Sequence, residues 1–305
     1  MINRLKEHIG EYFVGKTETV ENILICLFAG GHVLLEGVPG VGKTTLASVL
    51  AKSVECDFGR IQFTPDTLPT DVMGTEVFDM KTGEFEYREG AVMHQIVLAD
   101  EINRTSPKTQ SSLLEAMAEG HTTVSGVRHM LPQPFMVIAT QNPVEFMGTY
   151  PLPEAQIDRF MMKLSIGWPD EDEQLRMTRN MLSGKTVDTV ESVISAEDVM
   201  RIREQVSKVT VKDEVIRYAG NIADLTRNEK SFVLGISPRA VLDLVKASQA
   251  RALMESRDHV KPDDIKATAP YVIGHRLALT SEAKISGEDK SEIIQRLIKK
   301  AKIPM

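Results

Sequence analysis

Gly37, Gly42, Lys43 and Thr44 stand in the spacing G-x-x-x-x-G-K-[ST], inside the stretch "GVPGVGKTT". A loop so poor in side chains has little to pack with. It does let successive backbone N–H groups turn inward on one anion. A helix that follows directly aims the positive end of its dipole at the same point. In that setting Lys43 reaches the β- and γ-phosphates of a nucleoside triphosphate, and the Thr44 hydroxyl is an oxygen ligand for Mg²⁺. Holding a triphosphate is not cleaving it. The stretch "QIVLADE" bears on that second step, because Asp100 and Glu101 end a buried apolar run. At the carboxyl end of a parallel strand the two acids face the same ligand. Asp100 then joins the Mg²⁺ shell and Glu101 polarises an attacking water. Two acids ending a strand are commonplace alone; beyond a phosphate loop, with one strand between, they are specific.

Three further polar residues are weaker by themselves. Asn142 ends the apolar run "FMVIAT" plus Gln141, where it could orient the water or touch the γ-phosphate; it reads equally as an asparagine opening a turn before Pro143. Arg159 in "PEAQIDRF" reads as a solvated arginine or a partner of Asp158, and Arg239 in "SPRA" as a surface arginine opening a helix. The seven histidines show no metal-ligand spacing.

The elements that must position these residues follow from periodicity. "HVLLE" (32–36) is a short buried strand, preceded by helical spacing of Val20, Ile23, Leu24, Leu27 and Phe28 and followed by a helix from Thr44 to Val54. Further strands are expected at 60–63, 95–100, 135–140 and 160–166, with a helix capped by Ser106, opened by Pro107 and ended by Gly120. Residues 64–94 look like an insertion carrying a hairpin, "EVFD" and "EFEY" about the turn "MKTG"; 122–131 is a second hairpin. Alternating strands and helices imply an α/β core with a parallel five-stranded sheet and helices on both faces. From Asp170 onward only helical periodicity remains. Helices start near Ser195, Ser237, Pro262 and Gly287. The expected organisation is an αβα nucleotide-binding domain over 1–168 and a small all-α lid over 169–305.

Composition narrows the classes. The chain has 305 residues, 42% hydrophobic and 26% charged, which is the balance of a globular protein. A formal charge of −7 does not favour nucleic acid or an anionic membrane. Cys26 and Cys56 lie in apolar segments and read as reduced core residues. There is no run of the roughly 18 apolar residues that a membrane span needs, and the N-terminus lacks a secretory core, so the expectation is a cytoplasmic protein without membrane insertion.

The phosphate loop, "ADEINR", "ATQNP", "DRF" and "SPRA", in this order and followed by a helical region, resemble the AAA+ ATPases. "GVPGVGKT", "ADEINRTSPKTQSSLLEAMAEG" and "ATQNPVEFMGTYPLPEAQIDRF" resemble the MoxR group in particular, and the likeness runs from Val14 to Arg276. The resemblance implies ATP/ADP and Mg²⁺ as cofactors. Gly37, Val38, Pro39, Gly40, Val41, Gly42, Lys43, Thr44 and Thr45 would cradle the phosphates, with Thr44 and Asp100 on Mg²⁺. Asp100 and Glu101 match the Walker B pair and Asn142 matches sensor 1. Arg159 matches the arginine finger offered to a neighbouring subunit, and Arg239 matches the sensor 2 arginine offered by the lid to its own subunit's nucleotide. Val14 and Gly15 lie where such proteins contact adenine. Residues 64–94 correspond to the helix-2 insert and 122–131 to the pre-sensor-1 hairpin. The family further implies a homo-oligomeric, hexameric ring that remodels or activates protein clients, among them proteins with von Willebrand A-type domains, including metal-cofactor insertion. Three other classes compete: a nucleic-acid motor of the same architecture, a small-molecule phosphotransferase, and a nucleotide-gated scaffold without turnover. Net charge counts against the first, the lack of an acceptor constellation against the second, and Glu101 against the third.

Overall fold

The structure is a computed structural model that describes residues 1–142 and 149–303. The turn expected at Pro143 lies outside them. Helices α1 (Ile2–Tyr12) and α2 (Thr17–Phe28) precede strand β1 (Val33–Glu36). Then follow α3 (Lys43–Ser53), β2 (Phe58–Gln62), the short α4 (Pro69–Met73) and a hairpin of β3 (Gly74–Asp79) and β4 (Glu84–Glu89). Next come β5 (Ile96–Asp100), α5 (Pro107–Glu119) and a second hairpin, β6 (His121–Val124) with β7 (Val127–Met130). Strand β8 (Met136–Gln141), α6 (Glu154–Ile157) and β9 (Met162–Ser165) complete the sheet region. Seven α-helices follow among the described residues: α7 (Glu171–Leu182), α8 (Ala196–Lys208), α9 (Asp213–Arg227), α10 (Pro238–Met254), α11 (Pro262–Ile273), α12 (Ser281–Ile285) and α13 (Lys290–Lys300).

Strands β2, β5, β8, β1 and β9 form one parallel sheet in that order. The five strands and both hairpins are those expected from the sequence, with shifted ends. Strand β2 starts at Phe58 because that residue pairs with Ile96 of β5, which periodicity in one segment does not reveal. Helix α3 starts one residue early, at Lys43, because Gly42 takes a left-handed conformation (φ 87°) and serves as its cap. Local start signals hold elsewhere. The Ser106 hydroxyl accepts the Thr109 N–H, Ser195 and Asp198 form a capping box, and the Ser237 hydroxyl accepts the Ala240 N–H. The last helix begins beyond Gly287, at Lys290, where the Asp289 carboxylate accepts the N–H groups of Ser291 and Glu292.

Each face of the sheet carries an apolar core. On one face Phe63, Val97, Leu113, Leu114, Val137 and Phe160 pack beneath α5. On the other, Leu24, Leu46 and Leu50 of α2 and α3 belong to the same continuous core as Ile202, Tyr218, Leu244 and Ile265 of the C-terminal helices. Strands do end near residue 168, but the core crosses that position.

Candidate active site

In a parallel sheet all carboxyl ends lie on one edge, and register decides which side chains meet there. Glu36 pairs with Gln141 and with Ser165, and Gln62 pairs with Asp100. The loop after β1, the acids after β5 and Asn142 after β8 therefore share one edge. Strand order puts β8 between β1 and β5, so the acids stand two strand spacings, about 10 Å, from the root of the glycine loop. The loop is fitted closely: the Gly37 N–H reaches the Gln141 carbonyl at 3.4 Å, and a Cβ on Gly37 would stand 2.8 Å from the Ile166 carbonyl oxygen. Lys43 is buried and donates to the Gly37 carbonyl at 2.7 Å, which bends its ammonium back over the loop. The Thr44 hydroxyl makes no hydrogen bond among the described residues.

Asp100 and Glu101 are held by three residues that sequence reading did not single out. The fully buried Thr140 hydroxyl donates to Asp100 Oδ1 at 2.7 Å and accepts the Glu101 N–H at 2.8 Å. Arg60 donates to Asp100 Oδ2 at 2.7 Å, and Gln62 donates to Glu101 Oε2 at 3.0 Å. Arg60 and Gln62 alternate with buried Gly59 and Ile61 on β2, so both reach over the same side of the acids. That alternation was readable; the pairing of β2 with β5 that aims it was not. Arg104 ion-pairs with Glu101 at 3.3 Å. Glu101 itself is left-handed (φ 58°), a conformation disfavoured for a side chain with a Cβ and recurrent where a residue must be aimed. Asp100 supplies a carboxylate and Thr44 a hydroxyl, hard oxygen donors of the kind Mg²⁺ takes when phosphates complete its shell. The residues fit the ion. Val14, Gly15 and Val41 line one narrow cleft beside the loop, opposite Ile166, Trp168 and Met177.

Arg159 and Arg239 are elsewhere. Both belong to the amino edge of the sheet, a strand length of about 13 Å from the glycine loop. Arg159 precedes β9 and donates to the Leu114 carbonyl. Arg239 opens α10 two residues after Ser237, whose hydroxyl donates to the Asp158 carboxylate at 3.2 Å. The charge of Arg239 is felt at His32, just before β1, and at Asp243. Asp158 does not pair with Arg159. It pairs with the buried Arg276 at 2.7 Å, which also holds Asp243 and the Phe160 carbonyl. This knot pins α10 and α11 to the amino edge. Arg239 thus opens α10 beside Ser237 and Asp158 at the amino edge, whereas the resemblance offers it to its own subunit's nucleotide.

Residues 32–162 match the family described as ATPase family associated with various cellular activities (AAA), and residues 224–297 match the AAA lid domain. Chaperone MoxR1 of Mycobacterium tuberculosis is 40% identical, over 95% of this chain and 79% of that protein. The chain belongs to the MoxR-type AAA ATPases. It is also 49% identical to YeaC of Bacillus subtilis, an uncharacterised protein, over 100% of this chain and 95% of the relative. A crystal structure from Cytophaga hutchinsonii, described as that of a candidate ATPase, matches with a TM-score of 0.93 at 39% identity, over 100% of this chain and 95% of the other. Nucleotide binding with Mg²⁺ as the usual partner is what the AAA family implies. No helix among the described residues of this MoxR-type chain is long and apolar enough to cross a membrane. Nor do its histidines, cysteines and acids gather into a metal-holding group of three among those residues.

Proposed function

We propose that this MoxR-type ATPase binds and hydrolyses ATP in a site completed by a neighbouring copy of the chain. The observation that carries the proposal is the division of charge between the two sheet edges. The glycine loop, Asp100, Glu101 and Asn142 share the carboxyl edge, and Arg159 and Arg239 share the amino edge. Charge developing on the γ-phosphoryl oxygens needs a cation from outside the loop. On one chain the two candidate arginines lie a full strand away, so a neighbour's amino edge has to meet this chain's carboxyl edge. Head-to-tail contact of that kind closes into a ring when the rotation between copies is a whole fraction of a turn.

Within the site Lys43 and the loop N–H groups hold the phosphates. Thr44 and Asp100 would hold Mg²⁺, which when bound neutralises charge on the β- and γ-phosphates. Thr140 fixes Asp100 and the Glu101 backbone, and the Glu101 carboxylate takes the proton of the attacking water. Asn142 orients that water. Replacing Glu101 with Gln keeps the shape and removes the base. ATP affinity should stay within about twofold while turnover falls by about a hundredfold or more. Turnover like that of the unaltered protein would remove Glu101 from its role.

Protein clients are supported by the naming of MoxR1 as a chaperone and by the hairpins. Phe78 and Phe85 pair across β3 and β4 with 49% and 67% exposure, beside Met80 at 89%. Tyr87 stacks on His129 at 3.6 Å, bracing the two hairpins into one platform. A hexamer, clients with von Willebrand A-type domains and metal-cofactor insertion rest on the family resemblance, as does a cytoplasmic location on the sequence reading.

A further inference from the structure

Strand β9 is the outer strand of the sheet, and α11 packs against it. A hollow of about 280 Å³ remains there, lined by Glu36, Lys163, Ser165, Gly274, Lys290 and Ser291 among others. Lys163 and Ser165 alternate along β9 with the buried Met162 and Leu164. Lys163 is held to Glu36 at 2.9 Å, and both side chains are 27% exposed. Lys290 comes from the opposite wall as the first residue of α13, and its ammonium donates to the Leu277 carbonyl at 3.3 Å. It makes no ion pair among the described residues. Two half-buried ammonium groups therefore share one carboxylate. We infer that this hollow binds a small tetrahedral oxyanion of the phosphate type between Lys163 and Lys290. Its lining includes neither the phosphate loop nor the acid pair, so the inference goes beyond the ATP reading and stands whether or not the chain hydrolyses ATP.

Without a ligand Lys290 is electrostatically misplaced. The first turn of a helix is the positive end of its dipole and disfavours a cation. Burial and the nearby Lys163 charge act in the same direction and pull the Lys290 ammonium below the ordinary lysine range, with Glu36 opposing them. An anion between the two lysines supplies the missing counter-charge. The Asp289 carboxylate already takes the N–H groups of Ser291 and Glu292, so the donors left for a ligand are side chains. Among them is the Ser165 hydroxyl, which makes no hydrogen bond among the described residues. Lysines act as point charges and suit an ion with oxygens on every side. A planar carboxylate is better matched by the fork of an arginine, and no arginine lines this hollow among the described residues. The volume is at the small end of the roughly 300–1,000 Å³ of ligand pockets, room for an ion and a few waters. Bound there, the ion shares Lys163 with Glu36, the residue directly before Gly37.

Limited acetylation of the whole chain with acetic anhydride, read by peptide mass analysis, follows each lysine separately, so an ion held at Lys43 does not disturb the result. At constant ionic strength, inorganic phosphate at about ten times its Kd should slow modification of Lys163 and Lys290 roughly tenfold, because only the empty fraction reacts. Sulfate, the same shape, should protect as well, and acetate should not. A parallel arm with glycerol phosphate tells the source. Protection at lower concentration than inorganic phosphate identifies a phosphorylated small molecule, and the reverse identifies the free ion. Lys290→Gln should raise the phosphate concentration that protects Lys163 by about tenfold or more, as loss of a hydrogen bond between charged groups does. Lys290→Arg keeps the charge and should recover most of the effect. Equal reactivity of Lys163 and Lys290 in phosphate, sulfate and chloride would overturn the inference. So would equal protection by acetate, or an unchanged phosphate dependence in a folded Lys290→Gln chain.

Discussion

At the scale of single residues, the acid pair is only as good as what aims it. Thr140 gives one hydroxyl to both acids, donating to Asp100 and accepting from the Glu101 N–H. Deleting a buried partner leaves the other groups unsatisfied, at about 1–3 kcal/mol. Thr140→Val should therefore lower turnover roughly tenfold or more, and Thr140→Ser, which keeps the hydroxyl, should restore it. Steady-state ATP hydrolysis with both variants checks this; equal rates for valine and serine would show that the hydroxyl does not position the acids. Thr140 was hidden in the sequence because a threonine inside "FMVIAT" looks like a β-former on a buried strand. Its role comes from the pairing of Ala99 with Ala139, which sets Asp100 beside it.

At the scale of elements, α10 is the informative one. Its cap Ser237, its opening Pro238 and its periodicity were legible, because caps act within a few residues. The sheet edge to which it brings Arg239 was not. That depends on α10 lying against α2 and on the Asp158–Arg276–Asp243 knot, contacts between residues 33 to 118 positions apart. Mixing experiments test the consequence. Arg159→Ala and Arg239→Ala chains should each be nearly inactive alone, with a loss on the order of 10³-fold for the finger. Each should recover activity when mixed with Lys43→Ala chains, which lack a working loop but offer both arginines. Recovery for Arg159→Ala without recovery for Arg239→Ala would return Arg239 to its own subunit's nucleotide.

At the scale of the whole molecule, one apolar core holds residues from both of the two expected domains, which predicts that they unfold together. Calorimetry should show a single unfolding transition, and a fragment ending at residue 168, with α2 stripped of its partners, should fail to unfold cooperatively. Two separated transitions would show that the halves are independent. Two buried neutral histidines add a pH dependence. Burial depresses His32 to about 4 and His275, aided by the adjacent Arg276 charge, to about 3. The unfolded chain binds these protons more readily, so their contribution is fully present above about pH 6.5 and is lost as pH falls toward 4. At pH 5 each should lower stability by up to about 2 kcal/mol relative to pH 7. Urea unfolding at the two pH values measures it; equal midpoints would mean that these rings are not buried as neutral imidazoles.

The sequence by itself determined the sheet's five strands, both hairpins, most helix starts and the residues of the phosphate edge. Those properties are local: alternation, glycine spacing and caps act within a few residues, and a parallel sheet puts every strand's carboxyl end on the same side. Tertiary structure alone decided which strand lies beside which, and hence that Arg60, Gln62 and Thr140 steady the acids. It also decided that Arg239 opens a helix beside Asp158 at the amino edge and that one apolar core takes in residues from both sides of 168. These are outcomes of side-chain packing between segments far apart in the chain, for which no single segment carries the information.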